Sequence, residues 1–236
     1  MPLAIAMKVK DGLLLASDRL SFPETWNGTD PIAELNGPRI FAHPMIGGVR
    51  PASFAVTACG PEKFSPYGST VEFMARLANA TSGRDPAWIA EGMADAARKL
   101  PYIDRTEFLI AGWPEKGDPF IMSYAPGLEK PWAAKSGDEC GVFLAGDSER
   151  VRGALRGPAS DPLDYSAMEL QDAIILAGLA LSIESQATRW MKKTKTGTLF
   201  DIRVIRPSAH GVSDGWYYAD CGHTSRPRYV GPEGPK

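Results

Sequence analysis

Only three cysteines occur in 236 residues, Cys59, Cys140 and Cys221, an odd number with no paired spacing. That scarcity argues against a disulfide framework and fits a reducing compartment. Histidine is equally sparse, at His43, His210 and His223. Cys221 and His223 beside Asp220 read as a surface thiol and imidazole, because a zinc site would need four ordered ligands. An excess of charge of either sign is also missing. A formal net charge of -2 and a pI of about 6.0 give no reason to expect nucleic acid or an anionic membrane as partner. The short basic run Lys192 to Lys195 suits a helix end. No apolar stretch approaches the roughly 18 to 20 residues of a membrane span. The opening residues lack the basic and apolar segments of a secretory signal. The expectation is a cytoplasmic protein with no membrane or nucleic-acid partner and no cofactor.

With 44% hydrophobic residues, the chain can bury the core of one α/β-sized domain. We assign that domain to residues 1–220 and read residues 221–236, rich in Gly, Pro and charge, as a flexible tail. The most informative segment lies near the start. Ala4–Val9 and Leu13–Ser17 read as two strands joined at Lys10-Asp11-Gly12, where Asp-Gly supplies the positive φ of a tight turn. A hairpin there brings Asp18 close to residue 2.

Leu20–Pro38 is polar and punctuated by proline and glycine, and reads as a long loop. Arg39–Ala42 and Ser53–Gly60 follow as strands. Ser69 with Glu72 opens a helix through about Ala80. Asp85 caps a second helix, with Pro86 at its first position and Pro101 at its end. Glu107–Trp113 and Pro119–Tyr124 form another hairpin, and Cys140–Gly146 a strand leading into a helix near Glu149–Leu155. Ser166 and Glu169 open the longest helix, whose face Ile175, Leu179, Ile183 and Ala187 continues to Trp190. Phe200–Ile205 alternates as a strand, with a partner at Gly215–Ala219. Strands grouped between helix pairs favour a layered α+β sandwich over a βαβ repeat. Met74, Met93 and Met122 fall on core faces and need no cofactor.

The opening Lys10-Asp-Gly-Leu-Leu-Leu-Ala-Ser-Asp-Arg19 resembles that of proteasome β-type subunits in the N-terminal nucleophile (Ntn) hydrolase superfamily. Arg39-Ile-Phe41 is similar to the family's Lys-Ile-Phe. Phe108-Leu-Ile-Ala-Gly-Trp113 with Glu115-Lys-Gly117 resembles its central hairpin, and Lys193 to Ile205 its helix exit and following strand. The resemblance spans roughly Pro2 to Gly211 and identifies the chain as similar to a divergent, bacterial-type member. It implies a four-layer αββα sandwich.

It also implies where site residues fall. Pro2 takes the position of the threonine nucleophile and offers no hydroxyl, which removes the acyl-enzyme route. Arg39 aligns with the buried lysine, supplying positive charge without serving as a proton acceptor. Asp18 matches the aspartate that holds that cation, and a structural Asp18–Arg39 pair is the favoured reading. Gly60 falls where a backbone N–H serves as oxyanion donor, or it simply ends a strand tightly. Ala145-Gly146 replaces a Ser-Gly. Lys193 and Thr196 fall near an aspartate and a serine; Thr196 can replace the serine, whereas Lys193 reverses the aspartate's charge.

The functional implication is a proteasome-subunit-like pseudoenzyme, lacking threonine-protease activity. It would act as a structural or assembly subunit with copies of itself or related subunits. The alternative is an active N-terminal-nucleophile peptidase or amidase with an altered nucleophile or a different mature start, for which Cys59 and the Pro2 amine are the remaining candidates.

Overall fold

Strand β1 (Leu3–Val9) pairs antiparallel with β2 (Gly12–Asp18) in a computed structural model of the chain. It describes residues 3–18, 40–43, 49–50, 52–60, 70–81, 84–99, 105–146, 149–158, 161–190, 199–209, 211–220 and 228–231. The hairpin is the one expected, but Gly12 serves it differently. Its φ is not in the left-handed region; a Cβ there would meet the Ile205 carbonyl oxygen and Leu170 Cδ2, each at 2.9 Å. Close packing requires this glycine, whereas the positive-φ expectation does not hold.

Strands β3 (Phe41–His43), β4 (Val49–Arg50) and β5 (Ser53–Cys59) precede helices α1 (Thr70–Thr81) and α2 (Pro86–Lys99). Strands β6 (Glu107–Trp113), β7 (Phe120–Tyr124), β8 (Trp132–Lys135) and β9 (Gly141–Gly146) lead into α3 (Glu149–Arg156) and α4 (Leu170–Trp190). The chain then forms β10 (Leu199–Ser208), β11 (Gly211–Asp220) and β12 (Arg228–Gly231). The described residues form an α+β fold of four helices and two antiparallel sheets, in the orders β12-β11-β10-β2-β1-β9 and β3-β5-β6-β7-β8, with β4 also paired to β11. Within the segment read as a tail, β12 pairs with β11.

Alternation along the strands sorts the core into three clusters. Leu3, Ile5, Met7, Phe200 and Ile202 pack with Val151 and Leu155 of α3 and Ala173, Ile174 and Leu181 of α4. Ala4, Ala6, Leu13 and Leu15 pack with Ala55, Cys59, Leu109 and Ala111 of the other sheet. Phe54, Phe108, Ile110 and Phe120 pack with Met74, Ala78, Ile89 and Met93 of α1 and α2. With both faces covered, β1, β2 and β5 are buried along their whole length.

Two helix starts show how local signals fared. The Asp85 carboxylate accepts the Trp88 N–H at 2.9 Å, the cap expected for α2. Helix α4 is capped from afar instead: Asp11 in the β1–β2 turn accepts the Leu170 N–H at 2.7 Å. Ser166, the expected cap, donates its N–H and hydroxyl to Asp164. Ser69 lies outside the described residues.

The face of α4 marked by residues four apart turns outward. Leu170, Ala173, Ile174, Ala177, Ala180, Leu181 and Glu184 face inward, whereas Ile175, Leu179 and Ile183 are 57%, 51% and 42% exposed. Two apolar stripes compete on this helix, and the one richer in small residues lies against the sheet. Among the described residues no helix is long and apolar enough to cross a membrane.

Candidate functional site

Five strand ends meet at one end of the two sheets. In the first sheet, β1 begins at Leu3, which lies opposite both Asp18 at the end of β2 and Gly146 at the end of β9. In the second, β5 ends at Cys59, opposite Glu107 at the start of β6. Glu107 joins the sheets, its Oε2 accepting the Gly146 N–H at 2.8 Å. Gly146 has φ of 82°, a left-handed conformation suited to glycine, and there the chain leaves β9 to enter α3.

Asp18 is fully buried, and its Oδ2 accepts the Leu3 N–H at 3.0 Å. Its backbone carbonyl accepts the Ser17 hydroxyl at 3.1 Å. The carboxylate therefore holds the start of β1 against the end of β2. Gly60 follows β5 directly and abuts Thr106: a Cβ on it would lie 2.5 Å from Thr106 Oγ1 and 2.9 Å from Thr106 Cα. The close approach of the β5 and β6 ends accounts for a glycine at this position.

Asp18 and Gly60 thus lie at the same end, linked through Leu3, Gly146, Glu107 and Thr106. Pro2, Arg39, Lys193 and Thr196 lie outside the described residues, as does the proposed partner of Asp18 in the Asp18–Arg39 pair. Glu107 is the site residue that sequence reasoning missed. Its signal was an acidic residue opening the otherwise apolar Glu107–Trp113 strand, but its partner Gly146 is 39 residues away.

Behind this end, alternation turns Ser17, Thr57, Asp201 and Arg203 into the space between the sheets, all fully buried. Cys59 is also fully buried. A thiol so enclosed is a poor surface nucleophile. Among the described residues no cluster of His, Cys, Asp and Glu is placed to hold a metal ion. Chemically, the site offers two carboxylates, each accepting a backbone N–H, and a left-handed glycine.

Strand order, helix placement and this convergence of strand ends can be compared with solved structures. The chain shares the fold of the Anbu proteins. Anbu in a helical assembly from Pseudomonas aeruginosa matches 92% of this chain and 86% of its own, at 18% identity and a TM-score of 0.62. A mutant Anbu from Hyphomicrobium sp. strain MC1 matches 99% and 90%, at 15% identity and a TM-score of 0.63. Anbu from Yersinia bercovieri, described as an ancestral beta-subunit, matches 92% and 86%, at 14% identity and a TM-score of 0.55. No protein-family profile and no curated protein matches the chain. The Anbu likeness supports the proteasome-like fold at a level where sequence identity is too low to carry activity across.

Proposed function

We propose that the protein is a proteasome-subunit-like protein that assembles with copies of itself and acts as a structural or assembly subunit without threonine-protease activity. The observation that carries this reading is the outer face of α4. Ile175, Leu179 and Ile183 form an exposed apolar stripe, a feature that marks contact surfaces when it is contiguous. The helical assembly formed by the Pseudomonas aeruginosa Anbu is consistent with it. Three apolar clusters, one between the sheets and one under each helix pair, support a four-layer αββα arrangement.

The resemblance places Pro2 at the nucleophile position and Ala145 where a serine hydroxyl stands in the family. Asp18 and Gly60, the described members of the proposed site, make contacts that serve strand packing. Together these favour a retained scaffold over retained chemistry.

Light scattering coupled to size exclusion tests the assembly. We expect a mass several-fold above 25.5 kDa, and a shift toward that value in Leu179→Glu. A wild-type mass near 25.5 kDa at micromolar concentration overturns the assembly reading. Hydrolysis of fluorogenic peptides by pure protein, blocked by an epoxyketone directed at an N-terminal threonine, overturns the loss of protease activity.

A further inference from the structure

The second sheet ends on β8, and no strand among the described residues pairs with its outer edge. Its pairing with β7 fixes which backbone groups point outward. Ala125 donates its N–H to the Pro131 carbonyl at 2.6 Å, and the register sets Ser123 opposite Ala133 and Ile121 opposite Lys135. In an antiparallel ladder, alternate residues turn their N–H and C=O to opposite sides. Ala133 and Lys135 therefore bond toward β7, whereas Trp132 and Ala134 present their backbone groups at the open edge. Sheet edges are ordinarily guarded by a charge, a proline or a bulge. Here the register with β7 is unbroken, and Pro131 precedes the strand. The one charge within it, Lys135, turns back to Glu139 and the Phe143 ring. Trp132, 40% exposed, and the small Ala133 and Ala134 are left along the rim.

We propose that β8 pairs with β8 of a second copy of this chain, antiparallel about a two-fold axis at Ala134, so that the two sheets join edge to edge. A second copy fits because the segment complements itself in that register. Ala134 exchanges backbone bonds with Ala134 of the second copy, and Trp132 lies opposite its Ser136. The Ser136 carbonyl already accepts the Glu139 N–H at 3.0 Å, which leaves a lone pair for the ladder. On the same face Trp132 stands diagonal to Ala134 of the second copy, where a methyl leaves room for the indole. Beyond the ladder, residues that precede β8 in one copy meet those that follow it in the other. Exposed Lys130 thereby faces exposed Asp138 of the second copy, twice by symmetry. Neither side chain has an ion pair or hydrogen bond among the described residues. Glu129 falls opposite Glu139, whose charge Lys135 takes up. Centring the axis on Ala133 instead sets Lys130 against Ser136 and Asp138 against Leu128, and the charge match is lost. So short a ladder belongs with weak, transient interfaces. It uses a surface separate from the α4 stripe and does not rest on the assembly reading.

The test is sedimentation equilibrium at low salt on the full chain, as wild type and as Leu179→Glu, which disrupts the α4 stripe. In Leu179→Glu the mass should rise with concentration from 25.5 kDa toward twice that value. Lys130→Asp and Asp138→Lys, each added to Leu179→Glu, should weaken this dimer about tenfold, and both together should restore it, because the charges then meet in reversed order. Ala134→Pro removes an N–H that points away from β7, so circular dichroism should stay unchanged while the dimer is lost. Should that variant fail to fold, the charge reversal decides alone. Hydrogen exchange at Trp132 and Ala134 should slow as concentration rises. A mass of 25.5 kDa at every concentration in both wild type and Leu179→Glu overturns the proposal. So does a dimer that survives in folded Ala134→Pro, or one that the double charge reversal fails to restore. Slow exchange at Trp132 and Ala134 that ignores concentration assigns the edge to another segment of this chain and overturns it too. A larger particle that Leu179→Glu alone reduces to 25.5 kDa overturns it while leaving the assembly reading in place.

Discussion

Replacing Asp11 should weaken the structure through a helix that begins 159 residues later in the chain, since its carboxylate accepts the Leu170 N–H at 2.7 Å. Loss of a helix-capping acceptor costs typically about 1 kcal/mol, and a negative charge beside the first turn adds about 0.3–1 kcal/mol. Asp11→Ala should therefore cost about 1–2 kcal/mol. For a domain of this size that lowers Tm by about 2–8 °C. Asp11→Asn keeps an acceptor and loses only the charge, so its cost should stay below about 1 kcal/mol. Ser166→Ala removes the cap suggested by local sequence, but Ser166 bonds to exposed Asp164 instead. It should change stability by less than about 0.5 kcal/mol. Urea unfolding followed by circular dichroism measures all three, at fixed protein concentration because assembly would add a mass-action term. If Ser166→Ala costs as much as Asp11→Ala, or Asp11→Ala changes nothing, the long-range cap is refuted.

Tyr165 donates its hydroxyl to the Leu155 carbonyl, and burial pushes its phenol up to about 12, with the nearby Arg156 pulling the other way. Its contribution is fully present below about pH 10 and is lost as pH rises through that value toward about 12. Tyr165→Phe should flatten the alkaline fall in stability over this window, and absorbance titration should lose one late-ionising phenol; an unchanged titration curve refutes the assignment. Arg150 pairs with Glu184, whose side chain is 0% exposed while that of Arg150 is 35% exposed. Arg150→Met should thus cost more than Glu184→Gln, because the arginine can turn to water and the carboxylate cannot; about 2–3 kcal/mol is expected, below the fully buried limit. Equal costs in thermal unfolding would show that this asymmetry is wrong. Gly60→Ala forces its Cβ into Thr106 backbone and should destabilise by about 1–3 kcal/mol, while a neutral result in urea unfolding would show that the β5 and β6 ends can move apart.

Much of the fold was legible because it is written in local patterns. The order of strands and helix pairs, the opening hairpin, the Asp85 cap and the Glu107–Tyr124 hairpin follow from periodicity, turn residues and proline stops. Strands β4, β8 and β12 escaped because short segments such as Trp132-Ala-Ala-Lys135 carry too little alternation to stand out. At the candidate site, sequence alone marked Asp18 and Gly60 through resemblance. It said nothing of Glu107, since a hydrogen bond between separate sheets leaves no periodic trace.

Tertiary structure decided what local rules left open. Helix α4 carries two apolar stripes, and hydrophobicity cannot choose between them; the sheet takes the face with Ala173, Ala177 and Ala180, leaving Ile175, Leu179 and Ile183 outside. It also chose Asp11 over Ser166 as the α4 cap and gave Gly12 a packing role in place of a turn role. The sequence determined which elements form, because backbone preference and hydrophobic period act over a few neighbouring residues. Which faces meet and which strand ends converge depended on close packing between residues far apart in the chain, where shape and hydrogen-bond satisfaction select among patterns that are locally equivalent.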